Sequence, residues 1–85
     1  MRERVRSSEY IVTLHARKEM NDDDLVADDV ERAILTGKVL ERQRDRVTAE
    51  WKYIIRGIAT DDRPVEVVAK LGPTGRLIVI TVYAP

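Results

Sequence analysis

The stretch 51–83, WKYIIRGIATDDRPVEVVAKLGPTGRLIVITVY, decides the fold. Trp51 to Ala59, Val65 to Leu71 and Arg76 to Tyr83 are rich in β-branched and aromatic residues and read as three strands. Thr60-Asp61-Asp62-Arg63-Pro64 and Gly72-Pro73-Thr74-Gly75 are turn-type sequences between them. If both turns close hairpins, Ala59 pairs with Val65 and Leu71 with Arg76. Alternation then sorts the strands onto two faces. One face carries Trp51, Tyr53, Ile55, Val65, Val67, Ala69, Leu71, Ile78, Ile80 and Val82. Being almost wholly apolar, it is the face that helices must cover, with Trp51 in the core. The other carries Lys52, Ile54, Arg56, Ile58, Glu66, Val68, Lys70, Leu77, Val79, Thr81 and Tyr83. That mixture fits a ligand groove, and equally fits long side chains covering their own sheet.

Upstream, Val39-Leu40-Glu41-Arg42 reads as a further short strand, and Asp45 to Glu50 as a charged connection. Asp28 to Thr36 is a helix, with Val30, Ala33, Ile34 and Gly37 at i, i+3, i+4 and i+7, acids in its first turn and Gly37 as its stop. Its start is poorly capped if that position is Val26 or Ala27. Leu14 to Asp22 is a second helix, capped by Thr13. The run Asp22-Asp23-Asp24 suits a helix start and not a helix end, so it marks the break between the two. Tyr10-Ile11-Val12 favours a short strand feeding the first helix, and residues 1–7 read as a loose lead-in. The expected fold is α+β: two short N-terminal helices packed on one face of a small antiparallel sheet. With 85 residues this is a single domain, its core spanning 8–84.

Composition narrows the function. The chain has no cysteine and one histidine, which excludes disulfides and thiol catalysis and leaves little to build a zinc site. No cofactor is expected. No apolar run approaches a membrane span, so a cytoplasmic protein is expected. Fifteen basic residues balance fifteen acidic ones, unevenly distributed. Asp22 to Glu31 holds six acids and no base, whereas Lys38 to Arg56 holds six bases against three acids. The second segment can orient the molecule towards an anion such as RNA, with Arg42, Arg44, Arg46 and Lys52 as contacts. It also reads as ordinary solvated surface.

His15 and Glu19 stand at i, i+4, where a carboxylate can orient an imidazole for general acid–base work near neutrality. A structural hydrogen-bonding role is the alternative. Tyr83 ends the last strand, where a phenol can donate a proton, stack on a base or simply half-bury its ring.

His15-Ala16, Glu19-Met20, Asp29-Val30-Glu31, Gly37, Tyr53, Gly57, Val67-Val68 and Ile80-Thr81-Val82-Tyr83 together resemble the bacterial family of unknown function DUF4258. The resemblance spans Tyr10 to Tyr83. Many members look like "HA-x-x-R-M-x-x-R-G-I", and this chain has Glu19 and Asp23 where those arginines fall. The family outline is similar to the RelE, ParE and BrnT group of small toxins, several of which cleave messenger RNA without metal. That likeness implies an RNA or ribosome target and a cognate antitoxin. A non-catalytic module that docks another protein, or a homodimer, is the competing expectation. The likeness implies catalytic candidates at His15, Glu19, Arg56, Lys70 and Tyr83, in which a base activates the 2′-hydroxyl, cations hold the phosphate and an acid protonates the leaving oxygen.

Overall fold

A computed structural model describes residues 10–44, 46–47, 50–72 and 75–85; the expectations for residues 1–7, Asp45 and Pro73-Thr74 lie outside these. The order of elements is β1 (Tyr10–Val12), α1 (Leu14–Asp22), α2 (Ala27–Thr36), β2 (Lys38–Arg44), β3 (Trp51–Ile58), β4 (Pro64–Leu71) and β5 (Leu77–Tyr83). The fold is α+β, but the sheet has five strands in the order β1-β5-β4-β3-β2 and is mixed, because β1 runs parallel to β5. No helix among the described residues is long and apolar enough to cross a membrane.

Both hairpins close differently from the expected register, with opposite consequences. In the first, Gly57 pairs with Val65 and Ile55 with Val67, a shift of two residues. A shift of two keeps every side chain on its face, so Ile55, Val65, Val67 and Ala69 are buried as expected. In the second, Leu71 pairs with Leu77 in place of Arg76. A shift of one inverts the faces, so Leu77 and Val79 are fully buried and Ile78 turns outward. Ile80 is then the extra residue of a bulge opposite Val68 and Ala69, which restores Val82 to the core. Trp51 and Leu71 are also corrected. They share the helix-side face but lie at its end, 41% and 40% exposed, past the helices.

The helices are held by local chemistry. Thr13 caps α1, its hydroxyl accepting the Ala16 N–H at 3.1 Å. The α1 C-terminus folds over through Leu25 N–H to the Met20 carbonyl (2.7 Å) and Asp24 N–H to the Asn21 carbonyl (3.3 Å). Asp24 takes the left-handed position there, at φ 55°. Val26, the N-cap of α2, has no side-chain acceptor, and Asp29 compensates from within the helix. Its Oδ2 accepts the Val26 N–H at 3.0 Å, and its Oδ1 accepts the Thr60 N–H at 3.0 Å and the Thr60 hydroxyl. Arg63 completes the junction by donating to the Asp23 (2.8 Å) and Asp24 (3.3 Å) carbonyls. One buried carboxylate thus joins the start of α2 to the β3–β4 turn.

The two glycines facing α2 serve close approach. A Cβ on Gly57 would stand 2.0 Å from the Ala33 carbonyl oxygen, and one on Gly37 2.4 Å from the same atom. Gly37 is extended (φ −80°), so the helix stop there depends on space and not on a left-handed turn.

Gly57→Ala should therefore lower stability by about 2–3 kcal/mol, the ordinary cost of overpacking, read as a shift in urea midpoint. An unchanged midpoint would contradict the backbone contact. Asp29 gives a pH signature. Its hydrogen bonds from Thr60 and Val26 hold its carboxyl below the usual range against the opposing effect of burial. A depressed folded-state pKa contributes stability that is complete above the unfolded value of about 3.9 and lost as pH falls through the folded one. Asp29→Asn should destabilise the protein at pH 7 and flatten the acid side of its stability curve. Parallel acid loss in both proteins would exclude Asp29 as its source.

Candidate functional site

Two clusters of chemistry-bearing side chains emerge, at opposite ends of the sheet. The first lies where β5 outruns its neighbour. Beyond Val79 that edge of β5 has no strand partner in β1, and α1 lies beside it instead. The Thr13 N–H donates to the Val79 carbonyl (3.1 Å) and the Thr13 hydroxyl to the Ile80 carbonyl (3.2 Å). Glu19 Oε1 then accepts the Val82 N–H at 3.3 Å, and Asp23 Oδ2 accepts the Ala84 N–H at 3.0 Å. Four helical residues rise about 6 Å and two strand residues about 6.6 Å, so side chains at i and i+4 of α1 meet alternate amides of β5.

His15 Nε2 sits 3.2 Å from that same Glu19 Oε1, with side-chain exposures of 69% and 26%. The sequence pairing is real, but the carboxylate is shared with a backbone amide. Glu19 is thereby a positioned acceptor that holds the strand edge and orients an accessible imidazole.

Next along β5, Tyr83 pairs with Glu66 on the open face, and Glu66 with Arg56. The Tyr83 hydroxyl donates a hydrogen bond to Glu66 Oε2, and Arg56 Nε lies 3.7 Å from Glu66 Oε1. The hydrogen bond to Glu66, then burial and the Glu66 charge, push the phenol above its ordinary range, with Glu19 adding to the effect and Arg56 opposing it. Glu66, which sequence reasoning did not select, is the centre of this group. Its position opposite Tyr83 depended on a register that residue pattern alone did not supply.

Lys70 does not join this group. It lies four residues from Glu66 along β4, roughly 13 Å, with its Nζ 3.5 Å from Glu50 Oε2. His15 stands at the β5 edge through Glu19, whose charge reaches Tyr83, and no contact joins the imidazole to the phenol among the described residues. The expected five-residue site thus resolves into a His15–Glu19 pair at the β5 edge, a Tyr83–Glu66–Arg56 group on the open face, and a separate Lys70–Glu50 pair.

The second cluster is the far end of the β2–β3 hairpin. Arg42 pairs with Tyr53 and Arg44 with Trp51, all on the helix-side face. Their guanidinium carbons stand 5.3 Å and 5.6 Å from the Trp51 ring centre. Lys52 points to the opposite face, where it faces Lys70, and Arg46 lies exposed in the turn. The four predicted anion contacts therefore surround the hairpin end and do not form one stripe.

Removing the Glu66 acceptor isolates its effect on the phenol. In Glu66→Gln, tyrosine-labelled NMR should show the Tyr83 titration moving down towards the ordinary value of about 10. Tyr10, which donates to Glu31 and is pushed up to about 12 by burial and that bond, should stay in place. A Tyr83 titration unmoved by the substitution would refute the coupling.

Comparison with known proteins gives one positive result. Residues 12–84 match the family described as Domain of unknown function (DUF4258). Neither the comparison with curated proteins nor that with solved structures found a match. The match takes in both helices, β2 to β5 and every residue of the His15–Glu19 pair and the Tyr83–Glu66–Arg56 group, and on that coverage the chain belongs to the DUF4258 family.

Proposed function

We propose that this protein is an RNA-directed effector of toxin type, a metal-independent ribonuclease or translation inhibitor controlled by a protein partner. The observation that carries this reading is the set of proton-handling groups along β5. An accessible imidazole is oriented by Glu19 at the edge of β5, and the same strand carries a phenol that donates to Glu66, with Arg56 next to that carboxylate. In RNA cleavage His15 removes the proton of the 2′-hydroxyl as its oxygen attacks the neighbouring phosphorus. Arg56 stabilises the charge that builds on the phosphoryl oxygens. Tyr83 protonates the 5′-oxygen as its bond to phosphorus breaks, leaving a 2′,3′-cyclic phosphate. The likeness of the family outline to the RelE, ParE and BrnT toxins, drawn from the sequence resemblance, points the same way as an analogy of fold alone.

A second reading, a protein-binding or self-associating module, is favoured by a different observation. Arg56 and Lys70 are each matched by a carboxylate, Glu66 and Glu50, while Ile54, Val68, Ile78 and Ile80 stay partly exposed on the open face. A tight complex or dimer in sedimentation, with RNA left intact, would select it.

The discriminating experiment incubates purified protein with single-stranded RNA in excess EDTA. Fragments ending in cyclic phosphate are expected, and His15→Ala or Tyr83→Phe should each slow their release by about 100-fold or more, the usual contribution of a general acid or base. Intact RNA, together with normal growth of cells expressing the protein strongly, would remove the toxin reading.

A further inference from the structure

We propose that Trp51, flanked by Arg42 and Arg44, is a stacking subsite for single-stranded RNA, separate from the residues along β5. The inference rests on the RNA-directed reading and adds a surface to it. Trp51 is the only tryptophan in the chain and is 41% exposed, at the one end of the helix-side face that the helices leave open. Two guanidinium groups stand over its ring at 5.3 Å and 5.6 Å. Among the described residues, neither has a carboxylate partner, whereas Arg56, Arg63 and Lys70 each have one. Cations without carboxylates, placed over an aromatic ring in a protein of zero net charge, are charges kept available for an anion.

The geometry suits a nucleotide in particular. A guanidinium plane and an indole both stack on any base, and the same guanidinium donates to the phosphate that follows. Arg42 pairs across the hairpin with Tyr53, a ring anchored against the core, so the platform has a fixed root. Beside it is a shallow groove of about 390 Å³ lined by Val39, Leu40, Glu41, Arg42 and Tyr53, of a size that takes one base. An acidic peptide adding to the free edge of β2 would need the same positive charge. It would leave the Trp51 ring unused, and the arginines gather around that ring.

The lone tryptophan reports directly on the site. A 2′-O-methyl decanucleotide cannot be cleaved by 2′-hydroxyl attack, so it separates binding from turnover. Saturable quenching of Trp51 emission is expected with this strand, with less than a tenth of that affinity for duplex RNA of equal length. In fluorescence anisotropy with the same labelled strand, Trp51→Ala should weaken binding about tenfold, and Trp51→Phe should retain most of it, because stacking is the interaction lost. Arg42→Ala with Arg44→Ala should weaken binding similarly and flatten its salt dependence. Circular dichroism identifies any variant that has not folded, and wild-type quenching then decides the matter alone. Binding with unchanged Trp51 emission overturns the proposal, as does absence of binding or protection of Trp51 by a protein partner alone. RNA cleavage without a Trp51 signal overturns this subsite and leaves the ribonuclease reading standing. Quenching without cleavage does the reverse.

Discussion

The contact of α2 with the sheet through Ala33, Gly37 and Gly57 is the constraint on which the remaining geometry depends. With no Cβ at either glycine, the helix backbone lies directly on the β3 backbone and buries Val30 and Ile34 in full. That seat fixes the height and position of α2, and its ten residues span only about 15 Å. The eight residues of β3 span about 26 Å, so a helix seated at its Gly57 end cannot shield its Trp51 end. β2, exposed along its whole length, and the Trp51–Arg42–Arg44 group are left uncovered for this geometric reason. A small domain with two short helices cannot cover five strands, and the surface it leaves bare is where its cations collect.

Asp29 plays the matching role at the opposite end. Because Val26 supplies no capping oxygen, the carboxylate of Asp29 serves the helix start and the Thr60 turn together. Arg63 brings positive charge to the same region and takes up the Asp23 and Asp24 carbonyls just past the end of α1. This end of the molecule is closed by internal pairing, whereas at the hairpin end Arg42 and Arg44 have no carboxylate partner among the described residues. A net charge of zero thus conceals a division, among the described residues, between charges paired with carboxylates and charges that are not.

The parts of the fold visible in the sequence were those governed by local rules. Thr13 as a cap, the break at Asp22–Asp24 and the burial of Ile55, Val65 and Val67 follow from chemistry within a few residues. Errors arose where one residue of register decides everything. Nothing in Arg76-Leu77-Ile78-Val79-Ile80 marks Ile80 as a bulge, since four of the five are aliphatic and fit either face. Alternation puts Trp51 on the core face, but it is silent on how far along that face the helices reach. Glu66, the partner of both Tyr83 and Arg56, became visible only once β4 and β5 were in register.

Helix α1 shows how this chain uses a family pattern in its own way. Where many members look like "HA-x-x-R-M-x-x-R-G-I", positions 19 and 23 here are Glu and Asp, and both accept backbone amides of β5. Arginine carries donors only and cannot make either bond. Chains with arginine there must satisfy that strand edge by other means or leave it to water and ligands. The glycine of the pattern falls on Asp24, held at φ 55°, a position that favours glycine. At this edge two cations of the pattern have given way to two acceptors, which tightens the seam between α1 and β5. His15 keeps its place on that seam, exposed and oriented, with Arg56 and Tyr83 grouped around Glu66 on the open face. A separate concentration of positive charge lies at the far end of the β2–β3 hairpin, around Trp51. If both clusters act on one RNA strand, chemistry at the β5 edge and grip at the hairpin are separated by the length of the sheet. The strand would then cross the sheet from one to the other.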